Sequence, residues 1–185
     1  MINVLDTKIN ELKIIEPNIY DDNRGYFFES YNEQEFHKKI GKINFVQDNE
    51  SKSSYGVLRG LHFQKNKPQG KLVRVVQGKV YDVAVDIRSG SATYGQWEAV
   101  ILSEENKTQF WVPPGFAHGF LVLSETADFE YKCTDYYDSF DEASLLWNDP
   151  DLNIPWPIDN PKLSERDVNA LFLSDLKNEN SSFRL

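Results

Sequence analysis

The chain contains a single cysteine, Cys133, so no disulfide can form within it and stability must come from a core. Long apolar runs are also missing. The opening MINVLDTKINELKII mixes acidic residues among its apolar ones and is expected to be neither a secretion signal nor a membrane span. Basic residues are outnumbered 20 to 29 by acidic ones, giving a net charge of −9, which leaves no broad cationic footprint for nucleic acid. No Gly-rich phosphate loop, no Gly-x-Ser-x-Gly elbow and no Cys/His spacing of metal type occurs, and His62 is followed by Phe63 and Gln64 rather than by a second histidine. These absences set aside P-loop chemistry, serine hydrolysis and zinc-type sites. A cytoplasmic protein that binds neither membrane nor nucleic acid is expected.

What the sequence has in plenty is β-structure. Aromatic residues make up 14 % of the 185 positions. Val, Ile and Tyr recur in short runs separated by turn signals, without a repeat of fixed period. Alternation predicts strands over 12–16, 26–30, 56–64, 72–77, 79–88, 95–102, 109–112, 120–123 and 129–134. In the fifth of these, Val83, Val85 and Ile87 are expected to face the core, with Asp86 and Arg88 on the other side. Gln77-Gly78 reads as a tight turn, and Pro113-Pro114-Gly115 places a loop just before Phe116. Helices are expected over 32–40 and, capped by Ser164, from there to about 176. Some nine short strands in one domain spanning 1–185 predict an all-β sandwich or barrel, with a jelly roll as the leading architecture.

Residues 47–71 hold the densest polar chemistry. His62 sits among Arg59, Lys71 and the amides of Gln47, Asn49 and Gln64 on a segment that reads as buried strand, where charges need a partner or a task. A strand histidine is usually just a satisfied core residue, but an imidazole flanked by cations can also act as a base beside a bound anion. Strict alternation puts Arg59 and His62 on opposite faces, so sharing a pocket requires a bulge, and Gly60 is where one is expected. His118, after the Pro-Pro-Gly turn, either reaches a barrel mouth or is a loop histidine satisfied by backbone. Tyr131 shares a strand face with Cys133 and Asp135. A buried tyrosine is either packing or a proton donor, and the strand alone leaves both open. His37, in the polar stretch EQEFHKKI, is expected to be simply exposed.

Taken in order, Arg24-Gly25-Tyr26-Phe27-Phe28-Glu29, Gln47-Asp48-Asn49, GVLRGLHFQ at 56–64, GKLVRVVQGKVYDVAVDIR, PPGFAHGF, YKCTDYY, WNDPDLNIPWP and LSERD resemble the dTDP-4-dehydrorhamnose 3,5-epimerase family, a branch of the cupins, over nearly the whole chain. The resemblance implies a metal-free and cofactor-free jelly-roll homodimer, with N-terminal strands pairing at the dimer interface and a C-terminal helical tail closing the barrel. Its substrate would be a dTDP-linked 4-keto-6-deoxy sugar, inverted at C3 and C5 on the way to dTDP-L-rhamnose. By motif, His62 is the general base, Asp167 its carboxylate partner, Tyr131 the acid on the opposite sugar face and Lys71 the cation facing the keto oxygen. Substrate binding falls to Arg24, Glu29, Gln47, Asp48, Asn49, Arg59, His118, Tyr137 (stacked on thymine), Glu142 and Arg166. Arg166 stands where the family usually has Lys, which keeps the charge but changes its shape. Three alternatives share much of this residue set: a single 3- or 5-epimerase, a cupin that binds the nucleotide sugar without turnover, and a metal-dependent cupin.

Overall fold

A computed structural model describes residues 2–179. Thirteen strands and three short helices lie among them. In chain order these are β1 (Ile2–Asp6), β2 (Lys13–Pro17), β3 (Tyr20–Asp22), β4 (Gly25–Phe27), α1 (Glu33–Lys39), β5 (Gln47–Ser54), β6 (Leu58–Gln64), β7 (Lys71–Gln77), β8 (Lys79–Asp86), β9 (Trp97–Ser103), β10 (Gln109–Val112), β11 (Phe116–Val122), β12 (Thr126–Cys133), β13 (Glu142–Ser144), α2 (Glu165–Val168) and α3 (Leu173–Glu179). Two antiparallel sheets, ordered β1-β2-β10-β7-β12-β5 and β13-β6-β11-β8-β9, form the all-β jelly roll, and β3-β4 make a separate two-stranded hairpin. No described helix is long and apolar enough to cross a membrane.

Three apolar layers hold the sheets. Val73, Val75, Phe110, Phe120, Phe129 and Val122 come from both sheets and meet in the space between them. Leu61, Phe63, Val83, Val85 and Ala117 lie on the outer face of the five-stranded sheet, beneath Leu145, Leu152, Leu173 and Leu176 of the C-terminal segment. Phe36 of α1 packs with Ile15, Leu72 and Trp111 on the outer face of the other sheet. The central strands are thus covered on both sides, which is why FAHGFLV is buried at every position of β11.

Several expectations change in detail. The side of β8 opposite Val83 and Val85 is a second interior: Asp82 and Asp86 are each 0 % exposed. His118 lies on a strand, because β11 begins at Phe116 instead of after residue 119. The expected strand over 12–16 runs from Lys13 to Pro17 and pairs as a hairpin with a further strand, Ile2–Asp6, through Ile15 opposite Val4. The expected strand over 26–30 ends at Phe27. The C-terminal helix is interrupted after Val168, where Leu171 bridges to Leu145 and ties the chain to the sheet. β5 was not expected at all; its sequence QDNESKSS has no apolar residue to signal a strand.

Candidate active site

The predicted bulge is present. His62 pairs with His118 and Arg59 with Phe120, so two residues of β6, Gly60 and Leu61, stand opposite the single Gly119. Gly60 has φ 121°, and a Cβ there would come within 2.5 Å of the Gly119 Cα, so only glycine fits. The slipped parity turns Arg59 and His62 to the same, inner face. Arg59 Nε donates to Ser53 Oγ of β5 at 3.0 Å, across the interior.

The remaining polar groups follow from alternation. On β7, Lys71 shares parity with the inward Val73 and Val75; on β12, Tyr131 and Cys133 share it with Phe129; on β5, Asn49 lies opposite Tyr131 and Gln47 opposite Cys133. His62, His118 and Asp82 therefore line one sheet while Tyr131, Lys71, Cys133, Asn49 and Gln47 line the other. Phe120 stacked on Phe129, with centroids 4.1 Å apart, lies beside them.

His62 is held by Asp167. Its Nε2 is 2.7 Å from Oδ1, while Oδ2 accepts a hydrogen bond from the Ser164 hydroxyl at 2.8 Å. Ser164 is the N-cap of α2 and accepts in turn from the Asp167 amide, so the capping turn orients the carboxylate. Burial raises the Asp167 pKa, but bonds from His62, Ser164 and the Gly60 amide outweigh it and hold the carboxyl below its ordinary value. An ionised carboxylate only accepts, so Nε2 carries the hydrogen and Nδ1 is left with the lone pair. Glu142 Oε1 is 3.8 Å from that Nδ1.

Facing sheet groups are tuned by burial. Burial pushes the Lys71 ammonium down, opposed by Cys133 and Asp82; its Nζ lies 6.0 Å from the Tyr131 ring centroid. Burial pushes the Tyr131 phenol up, against the nearby Arg59 charge, so the phenol keeps its proton. Cys133 is raised by burial too, and accepts from Asn49 Nδ2 at 3.5 Å; it is a packed thiol, not a nucleophile. Asp82, raised mainly by burial, takes a hydrogen bond from His118 Nε2 at 2.9 Å. Among the described residues, no group of three or more His, Cys, Asp or Glu side chains is arranged to hold a metal ion.

At the open end, Glu142 accepts from the Tyr137 hydroxyl at 2.7 Å and from Arg166. The Tyr137 amide donates to Gln47 Oε1 at 3.0 Å, and Gln47 donates to Asn49 Oδ1 at 3.0 Å. The structure thus brings together His62, Asp167, Tyr131, Lys71, Arg59, Gln47, Asn49, His118, Tyr137, Glu142 and Arg166.

Three expected residues do not join them within one chain. Asp48 points to the outer face of β5, where it pairs with Lys132 at 3.0 Å. Arg24 and Glu29 belong to the outlying β3–β4 segment; Arg24 is held by Asp22, and Glu29 accepts from Asn32. Asp82 escaped the sequence reading, and Ser164 was expected only as a helix cap, not as a partner of the Asp167 carboxylate. The alternation that marked Val83 as core also put Asp82 on an inward face, a signal available once both faces of β8 are taken as buried.

The sequence profile of the dTDP-4-dehydrorhamnose 3,5-epimerase family matches residues 6–175. The chain belongs to this family. The dTDP-4-dehydrorhamnose 3,5-epimerase of Salmonella typhimurium is 55 % identical over 176 residues, covering 94 % of this chain and 96 % of that protein. The structure of dTDP-6-deoxy-D-glucose-3,5-epimerase from Legionella pneumophila in complex with dTDP-4-keto-L-rhamnose is similar at TM-score 0.92 and 54 % identity, covering 95 % of this chain and 97 % of that one. A 3'-monoepimerase from Streptomyces bikiniensis in complex with dTDP-quinovose is similar at TM-score 0.88 and 35 % identity, covering 95 % and 90 %. Double and single epimerases therefore share this fold, and the fold alone does not separate them.

Proposed function

We infer that the chain is an isomerase that inverts C3 and C5 of dTDP-4-dehydro-6-deoxy-D-glucose, giving dTDP-4-dehydro-L-rhamnose. The observation that carries this reading is the placement of an Asp167-oriented imidazole and a protonated phenol on opposing sheets, with a half-buried ammonium 6.0 Å from the phenol ring centroid.

The chemistry needs each of these groups. A hydrogen alpha to a ketone is weakly acidic, so a base must remove it while a cation stabilises the enolate oxygen. His62 Nδ1 takes the proton, Lys71 faces the oxygen at C4, and Tyr131 returns a proton from the far side, which is what inversion requires. Both C3 and C5 flank the C4 ketone, so one base and one acid serve both centres as the sugar re-orients. The ketone already supplies the activation, and no cofactor is invoked. Arg59 and His118 in the interior, with Gln47, Asn49, Glu142 and Arg166 toward the open end, are assigned to the substrate's phosphate and nucleotide portion, with Tyr137 as the aromatic face for thymine.

A homodimer completes the reading. Tyr20, Tyr26 and Phe27 of the β3–β4 hairpin are 59 %, 56 % and 67 % exposed, an apolar surface that a second copy would cover. Arg24 and Glu29 lie on this same segment, so the hairpin of one subunit supplies them to the other's site. The cytoplasm, which keeps a lone thiol reduced, is the assigned compartment.

Incubation with dTDP-4-dehydro-6-deoxy-D-glucose in heavy water tests the function. Deuterium at both C3 and C5, with a dTDP-4-dehydro-L-rhamnose product by NMR, is expected. The similarity to a 3'-monoepimerase favours a second reading, and label at C3 alone would select it. A purely binding cupin predicts no exchange, whereas on the present reading His62→Ala abolishes exchange and spares dTDP binding.

A further inference from the structure

We propose that Glu142 is the proton outlet of His62, discharging the base between the two inversions. This rests on the epimerase reading and adds to it a catalytic residue for the second half of the reaction.

The need follows from proton balance. One inversion leaves His62 with a proton taken from carbon and Tyr131 without the one it gave. A second inversion cannot begin until the imidazolium has lost its proton and the phenolate has regained one. Asp167 occupies Nε2, so the acquired proton rides on Nδ1, and whatever discharges the base must reach that nitrogen.

Glu142 is built for that position. Its Oε1 is 3.8 Å from His62 Nδ1, beyond direct hydrogen bonding but within reach of a side-chain rotation or one bridging water. Its side chain is only 11 % exposed, yet Oε2 meets Tyr137 and Arg166, whose side chains stand at the solvent boundary. The carboxylate therefore stands between the half-buried base, 3.8 Å away, and the wet mouth. Proton transfer from Nδ1 to Glu142 leaves a neutral imidazole and a carboxylic acid. The acid then loses its proton to water, while water reprotonates Tyr131. The enzyme returns to its starting state with no net change of charge.

The test is early-time deuterium labelling of the same substrate by wild type, Glu142→Gln and Glu142→Asp. For the Gln variant, the rate of label entry at the second carbon relative to the first falls by roughly tenfold or more. Added formate restores it in a concentration-dependent way, and Asp recovers most of what Gln loses. A rise in KM with an unchanged ratio of the two rates, or a deficit equal in Gln and Asp and insensitive to formate, would confine Glu142 to positioning and overturn the proposal. Absence of label at both carbons with wild type is a different failure, that of the epimerase reading.

Discussion

His62 Nε2 lies 2.7 Å from Oδ1 of Asp167, a residue 105 positions further along the chain. The same carboxylate takes a bond from the Gly60 amide, so the bulge that turns His62 inward also anchors its partner. Asp167→Asn keeps the shape but removes the fixed acceptor, letting the imidazole adopt the wrong tautomer. We expect kcat to fall by roughly 10²–10⁴ with dTDP affinity little changed, read by steady-state kinetics and calorimetric titration. A comparable loss of dTDP affinity would assign Asp167 to substrate binding instead.

Lys71 separates activity from stability. Burial lowers its pKa, so the unfolded chain holds the proton more tightly than the folded one and the charged side chain costs stability at neutral pH. Lys71→Met is expected to cut kcat by roughly 10²–10³, the loss typical of one oxyanion donor. Its unfolding free energy in urea should be unchanged or higher by ~1 kcal/mol or more. A marked destabilisation would mean that Lys71 is chiefly a structural countercharge to Asp82.

Asp86 carries the clearest acid sensitivity. Although burial opposes it, hydrogen bonds from Arg88, Ser91 and Thr93 lower its pKa to about 2, tying the loop after β8 to the sheet. A carboxyl lowered in the fold adds stability above its ordinary value, lost as pH falls through the lower one. This contribution, about 2 kcal/mol at neutral pH, should fade between roughly pH 5 and 2. Asp86→Asn should therefore be less stable than wild type at pH 7 and nearly equal to it near pH 2, by urea titration at each pH. A gap that persists unchanged at low pH would trace the effect to shape, not charge.

How much of this was legible in the sequence differs from element to element. The bulge could be read because Arg59 and His62 have the wrong parity for one face and a glycine lies between them. The shared face of Tyr131 and Cys133 was legible through period-two alternation, whereas Lys71 lay just before the expected strand over 72–77 and its role came from the resemblance. β5 was not legible, since its inward positions Gln47, Asn49, Ser51 and Ser53 are polar and its outward ones are Asp48, Glu50, Lys52 and Ser54. A strand whose two faces are both hydrophilic leaves no hydrophobic period to detect. The strand carrying His118 was expected to begin only at residue 120, because a strand buried on both faces has no alternation either. Arg24 and Glu29 were placed with the site by resemblance, but nothing local could show that their hairpin stands apart from both large sheets.

That separation gives the most demanding prediction. Arg24 is 85 % exposed on a hairpin with exposed aromatic rings, and its guanidinium is held by Asp22 rather than by any group near His62. If the hairpin serves a second subunit, a functional site takes His62 from one chain and Arg24 from the other. Arg24→Ala and His62→Ala should each be inactive or nearly so. Co-expressed, they form mixed dimers in which one of the two sites is whole, because the Arg24→Ala chain supplies His62 and the His62→Ala chain supplies Arg24. Random pairing makes half of the dimers mixed, so about a quarter of wild-type activity per site should return. Phe27→Glu, which places a charge in the proposed contact, should lower both the dimer fraction by light scattering and that recovered activity. A co-expressed pair no more active than its parents, while mixed dimers are demonstrably present, would show that Arg24 does not act across the interface.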